Sequence, residues 1–140
     1  MSDTAVPKKI LICDDEELYV EILEKILSDN GFSVSTANDG FQCLEQLTEA
    51  APDLMLLDID IPHGNGLQLM ETLSKQPEFA RLQIVVISGH QDEYVMERSR
   101  QLGAKKFMIK PINIKNLIEE IKKLLGVEQV SDGSSKADPR

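Results

Sequence analysis

Five short apolar runs, each followed by a stretch of helical periodicity, organise this chain. The runs are Lys9 to Cys13, Phe32 to Thr36, Asp53 to Leu57, Gln83 to Ile87 and Lys105 to Ile109. Four of them are apolar at both alternating positions, the pattern of a parallel strand covered on both faces. The second, Phe-Ser-Val-Ser-Thr, alternates apolar with polar and reads as an edge. Strict alternation of this kind dictates right-handed crossovers and helices on both faces of one sheet. The expected fold is therefore α/β, a (βα)5 doubly wound five-stranded parallel sheet.

The intervening stretches carry the helical period. Leu18, Ile22 and Ile26, with Leu23 and Leu27 beside them, form one face of a helix from about Glu16 to Asp29. Phe41, Leu44 and Leu47 make a second stripe, and Leu67, Met70 and Leu73 a third. The fourth helix, Gln91 to Gln101, is poor in apolar residues, with little besides Val95 to hold it down. Ile114, Leu117, Ile118, Ile121, Leu124 and Leu125 give the cleanest amphipathic pattern. Asn30-Gly31, Leu102-Gly103 and Leu125-Gly126 place glycine just past three helices, and Asn113 stands where it can cap the last. Residues 1–7 read as a tail, 8–126 as one domain, and 127–140, rich in Ser, Asp, Gly, Lys and Pro, as a disordered tail or linker.

With 24 acidic and 15 basic side chains, the chain carries a formal charge of -9. That sign repels phosphate backbones and anionic lipid, which excludes nucleic acid and membrane surfaces as partners of this domain. The longest apolar runs are four residues, against the roughly 20 needed to span a bilayer, and the N-terminus has no apolar signal core. The expected compartment is the cytoplasm. Cys13 and Cys43 read as small core residues rather than as a disulfide framework.

Chemistry gathers where the strands end. The first strand runs into Asp14-Asp15, the third into Asp58, the fourth into Ser88 and the fifth into Lys110-Pro111. In a parallel sheet these ends share one edge, where open α/β sheets bind ligands. Two like charges 4 Å apart repel by about 4 kcal/mol at an effective dielectric near 20. Three carboxylates there need protons or a cation. The ligands on offer are hard oxygens without His or Cys, which favours Mg²⁺, or Mn²⁺ as its substitute, over zinc. Lys110 adds a positive charge and Ser88 a hydroxyl donor. A carboxylate between a divalent cation and an ammonium is arranged to accept a phosphoryl group. Each piece has a plainer reading: Asp14-Asp15 as a helix cap, Asp58 as turn chemistry. Their conjunction on the right strand ends favours chemistry.

The sequence resembles the receiver domain of bacterial two-component response regulators from about Lys8 to Gly126. The motifs are Ile10-Leu-Ile-Cys-Asp14-Asp15-Glu, Asp53-Leu-Met-Leu-Leu-Asp58-Ile-Asp-Ile-Pro62, Gly64-Asn-Gly66, Ile87-Ser88-Gly89 and Phe107-Met-Ile-Lys110-Pro111. The resemblance implies the flavodoxin-like strand order 2-1-3-4-5. It implies that Asp58 takes a phosphoryl group from a phosphohistidine on a sensor histidine kinase or histidine phosphotransfer protein. Asp15, Asp58 and the main-chain carbonyl of Asp60 are then the Mg²⁺ ligands, with Asp14 acting through metal-bound water. Lys110 pairs with the phosphoryl group, and the Lys110-Pro111 bond is cis. Ser88 and Phe107 are the switch pair, reporting through the surface of the fourth helix, fifth strand and fifth helix to a downstream target or output domain. A homodimer through that surface is compatible with the resemblance. The chain would catalyse its own phosphorylation and dephosphorylation without being a conventional enzyme.

Two departures from the family pattern bear on the site. Gly89 stands where Ala is commoner, so the loop after Ser88 is expected to be looser. By the resemblance, Asp60 and His90 occupy positions that flank the route of attacking water, while His90 and His63 each read more simply as solvated loop residues. Three rivals are weaker. An aspartate-nucleophile phosphatase of the haloacid-dehalogenase type matches Asp58-Ile-Asp60 but leaves Asp14-Asp15 unexplained. A flavodoxin-like cofactor binder would need a phosphate-cradling loop after the first strand. A contact-only pseudo-receiver would not need the intact acidic site.

Overall fold

The computed structural model describes residues 6–61 and 65–127. Five strands alternate with five helices: β1 (Lys9–Cys13), α1 (Glu17–Asp29), β2 (Ser33–Ala37), α2 (Gly40–Ala50), β3 (Leu54–Asp58), α3 (Gly66–Ser74), β4 (Gln83–Ser88), α4 (Glu93–Gln101), β5 (Ala104–Ile109) and α5 (Ile114–Leu125). All pairings are parallel, and the order is β2-β1-β3-β4-β5. The expected fold class, strand order and β2 edge are all present. The tail beyond Val127, and His63 with its neighbours Pro62 and Gly64, lie outside the described residues.

Alternation along the central strands feeds two cores. Ile10, Ile12, Leu54, Leu56, Val85 and Ile87 face α1 and α5, where Leu23, Leu27, Leu117 and Ile121 meet them. Leu11, Cys13, Met55, Leu57 and Val86 face the other way, onto Cys43 and Leu47 of α2 and Leu69, Met70 and Leu73 of α3. Every residue of β3 is buried, and burial of each large apolar side chain contributes roughly 1.5–3 kcal/mol. These two layers fix β3 and its terminal Asp58 at the middle of the sheet.

Four of the five helix starts, those of α2 to α5, are capped by side chains. Asp39 accepts from the Gln42 N–H, Asn65 from Gln68, Asp92 from Val95 and Asn113 from Asn116, which satisfies donors left free by the first turn. α5 ends at Gly126 with φ of 68°, the left-handed cap expected there.

Several expectations need correction. Leu18 and Ile22 do not face the core but lie 71% and 51% exposed. The buried seam of α1 runs instead through Leu23 and Leu27, with Tyr19 packed against the same cluster. α1 carries two adjacent apolar rows, and the sheet covers one. Phe41 is likewise outside, and α2 buries Gly40, Cys43 and Leu47. Cys13 and Cys43 are core residues, as expected, but they are joined as a disulfide with Cα atoms 6.2 Å apart. The α2 seam lies over the end of β1 and brings the two sulfurs together. Asp58 and Ser88 close their strands rather than follow them, pairing with Ile87 and Ile109 respectively. A short 3-10 turn, Pro77–Phe79, precedes β4. Among the described residues no helix is long and apolar enough to cross a membrane.

Candidate functional site

The carboxyl ends of β1, β3, β4 and β5 bring Asp14, Asp15, Asp58, Ser88 and Lys110 to one edge of the sheet. Asp14, Asp15 and Asp58 each offer a carboxylate oxygen within 4.8 Å of the other two. Asp14 and Asp58 are buried, and Asp15 is exposed. Local bonds aim the two buried groups. Asp14 Oδ1 accepts the N–H of Glu16 at 2.9 Å, and Asp58 Oδ1 accepts the N–H of Asp60 at 2.9 Å.

Lys110 closes the site from β5. Its ammonium lies 3.1 Å from Asp14 Oδ2, 3.2 Å from Asp58 Oδ2 and 2.8 Å from Glu16 Oε1. It also sits over the Tyr19 ring, 4.7 Å from the centroid. The Lys110-Pro111 bond is cis, as expected. Burial opposes the ammonium, but hydrogen bonds to Glu16 and Asp14 and the charges of Asp14 and Asp58 outweigh it, keeping Lys110 protonated well above the usual lysine range. Burial pushes the Asp14 carboxyl above the usual carboxylate range. The Glu16 N–H and Lys110 resist that rise, and the Asp58 charge adds to it. An ammonium with one charge faces three crowded carboxylates, and this donor set of hard oxygens fits Mg²⁺.

The other expected site residues lie around this centre. The Ser88 hydroxyl is turned onto its own loop, within 3.0 Å of both the N–H and the carbonyl of His90. Phe107 lines a groove of 590 Å³ between α4 and β5, with Glu93, Met96, Arg100 and Lys106. The Asp60 side chain stays outside the carboxylate trio, with Oδ2 3.6 Å from His90 Nδ1. Two residues without an expected role belong to the site. Glu16 follows the acidic pair inside the same motif, which was a usable signal. Tyr19 gave none, because only the tertiary packing of α1 carries its ring to Lys110.

Residues 10–122 match the response regulator receiver domain family. The chain belongs to that family, as a receiver domain of two-component signalling rather than a conventional enzyme. It is 29% identical over 121 residues to the polar-differentiation response regulator DivK of Brucella anthropi, a match covering 86% of this chain and 98% of DivK. A CheY-like receiver domain protein from Methanospirillum hungatei superposes with a TM-score of 0.80 at 27% identity, covering 86% of this chain and 95% of that one. NtrX from Brucella abortus, at 32% identity and a TM-score of 0.75, is matched over 26% of its length and 86% of this chain. Receiver domains bind Mg²⁺ at an acidic pocket, and Asp14, Asp15 and Asp58 form one here.

Proposed function

We propose that Asp58 is the phosphoacceptor. Its carboxylate oxygen attacks the phosphorus of a phosphohistidine, the N–P bond breaks, and the imidazole leaves as the P–O bond of an aspartyl phosphate forms. The observation that carries this reading is Lys110, whose ammonium spans Asp14 and Asp58 at 3.1 and 3.2 Å. From there it is in reach of oxygens added to Asp58, where a fixed cation stabilises the charge spread in transfer.

Asp15, Asp58 and the Asp60 carbonyl would hold Mg²⁺, with Asp14 acting through a bound water and Mn²⁺ as a substitute. Bound there, the cation neutralises charge on the transferring group. The donor is a sensor histidine kinase or a histidine phosphotransfer protein. Ser88 leaves the His90 main chain to bond the phosphoryl oxygens, and Phe107 turns inward beneath it. The α4-β5-α5 face then changes, and a downstream protein, an output domain or a second copy reads it. α4 suits this role because Ser99 is its one buried residue, and weakly anchored elements shift at low cost. Hydrolysis of the aspartyl phosphate at the same site resets the switch.

Intact mass after incubation with acetyl phosphate and Mg²⁺ tests the proposal. One added phosphoryl group is expected on wild type, and none on Asp58→Asn or without metal. Steady release of phosphate from small phosphoesters with no adduct would replace the receiver chemistry by a phosphatase.

A further inference from the structure

Lys110 and a divalent cation compete for the same two carboxylates. The ammonium occupies Asp14 Oδ2 and Asp58 Oδ2, and a cation entering the trio must displace it or suffer strong repulsion at close range. Among the described residues, Glu16 is the one carboxylate partner of Lys110 outside that trio. It makes the shortest contact, 2.8 Å, from a side chain 62% exposed. The Tyr19 ring offers a second hold, with its π face toward the ammonium. Packing against the α1–α5 core keeps that ring in place, and its hydroxyl is buried without a hydrogen-bond partner among the described residues. The ring, not the hydroxyl, is what Tyr19 brings to the site.

We propose that Glu16 and Tyr19, at the start of α1, form a seat that retains the Lys110 ammonium when a divalent cation takes Asp58 directly and Asp14 through a bound water. They are positioning residues. The seat lowers the cost of cation entry and keeps the ammonium beside Asp58, in reach of the oxygens it must later neutralise. This inference rests on the Mg²⁺ site proposed above.

Calorimetric Mg²⁺ titration of wild type, Glu16→Gln, Lys110→Met and the double variant tests it. Losing the Glu16 charge alone weakens Mg²⁺ binding in any background, by about twofold for an exposed, screened group. The seat predicts a larger loss where Lys110 is present, roughly tenfold, because contacting groups couple. Equal losses in the two backgrounds would overturn it. Tyr19→Leu should weaken binding by about threefold, whereas Tyr19→Phe keeps the ring and the affinity. Equal effects of the two Tyr19 variants would remove Tyr19 from the seat. Wild type failing to bind Mg²⁺ at all would instead sink the metal site itself. Thermal melts of each variant without metal separate lost binding from lost folding.

Discussion

The Nζ of Lys110 lies 3.2 Å from Oδ2 of Asp58, a pairing across 52 positions of sequence. Only the parallel sheet brings them together, since β3 and β5 flank β4 and end at the same edge. The same ammonium reaches Asp14 and Glu16, so the chemistry and the electrostatic cost of the site meet on one side chain.

That cost predicts a stabilising substitution. The Asp14 carboxyl titrates above its ordinary 3.8 through burial, resisted by the Glu16 N–H and Lys110 and reinforced by Asp58. The folded chain thus binds this proton more tightly than the unfolded chain. The penalty of the bare carboxylate is complete above the raised value and is lifted as pH falls through it toward 3.8. Asp14→Asn keeps the acceptor and removes the charge. Without Mg²⁺ at neutral pH it should melt about 3 °C higher than wild type, and the gap should close on acidification. Added Mg²⁺ should stabilise wild type more than the variant.

Tyr19 tests a different cost. Its buried hydroxyl has no hydrogen-bond partner among the described residues, a desolvation penalty of about 1 kcal/mol or more. Tyr19→Phe should raise the denaturation midpoint accordingly, and a drop would reveal a partner for the hydroxyl.

The α1 seam makes a paired prediction. Leu23→Ala should cost about 2–5 kcal/mol, as truncation of a fully buried side chain does. Ile22→Ala, one position away on the exposed row, should stay within about 0.5 kcal/mol. Equal losses in urea titrations would mean that both rows are covered.

Two glycines separate close packing from openness. A Cβ on Gly66 would stand 2.7 Å from the Ile59 main chain, just past Asp58. Gly66→Ala should destabilise by roughly 1–3 kcal/mol and slow phosphorylation by shifting that loop. Gly89 has open space around its Cβ position, so Gly89→Ala should stabilise by about 0.5 kcal/mol by restricting the unfolded chain.

The site was legible because its residues sit at strand ends, and strands can be recognised from continuous apolar runs without knowing what packs on them. The one-residue offset at Asp58 and at Ser88 did not matter, since an edge tolerates it. Helix faces were harder. Leu18 and Phe41 fit the 3.6-residue period as well as Leu23 and Cys43 do, and only the docking angle of each helix decides which row is covered. The Cys13–Cys43 pairing depends on that same docking of α2 over β1. Glu16 stood in view beside the acidic pair, but its partner Lys110 is 94 positions away, and no local pattern encodes that contact.

Locating the phosphoryl group tests the central claim most directly. Borohydride reduces an aspartyl phosphate to homoserine, so peptide mapping of the protein after acetyl phosphate, Mg²⁺ and borohydride identifies the acceptor. Homoserine at position 58 and nowhere else, absent when metal is withheld, is the predicted result. Homoserine at position 14 or 15, or an acceptor outside the carboxylate trio, would contradict the assignment of Asp58.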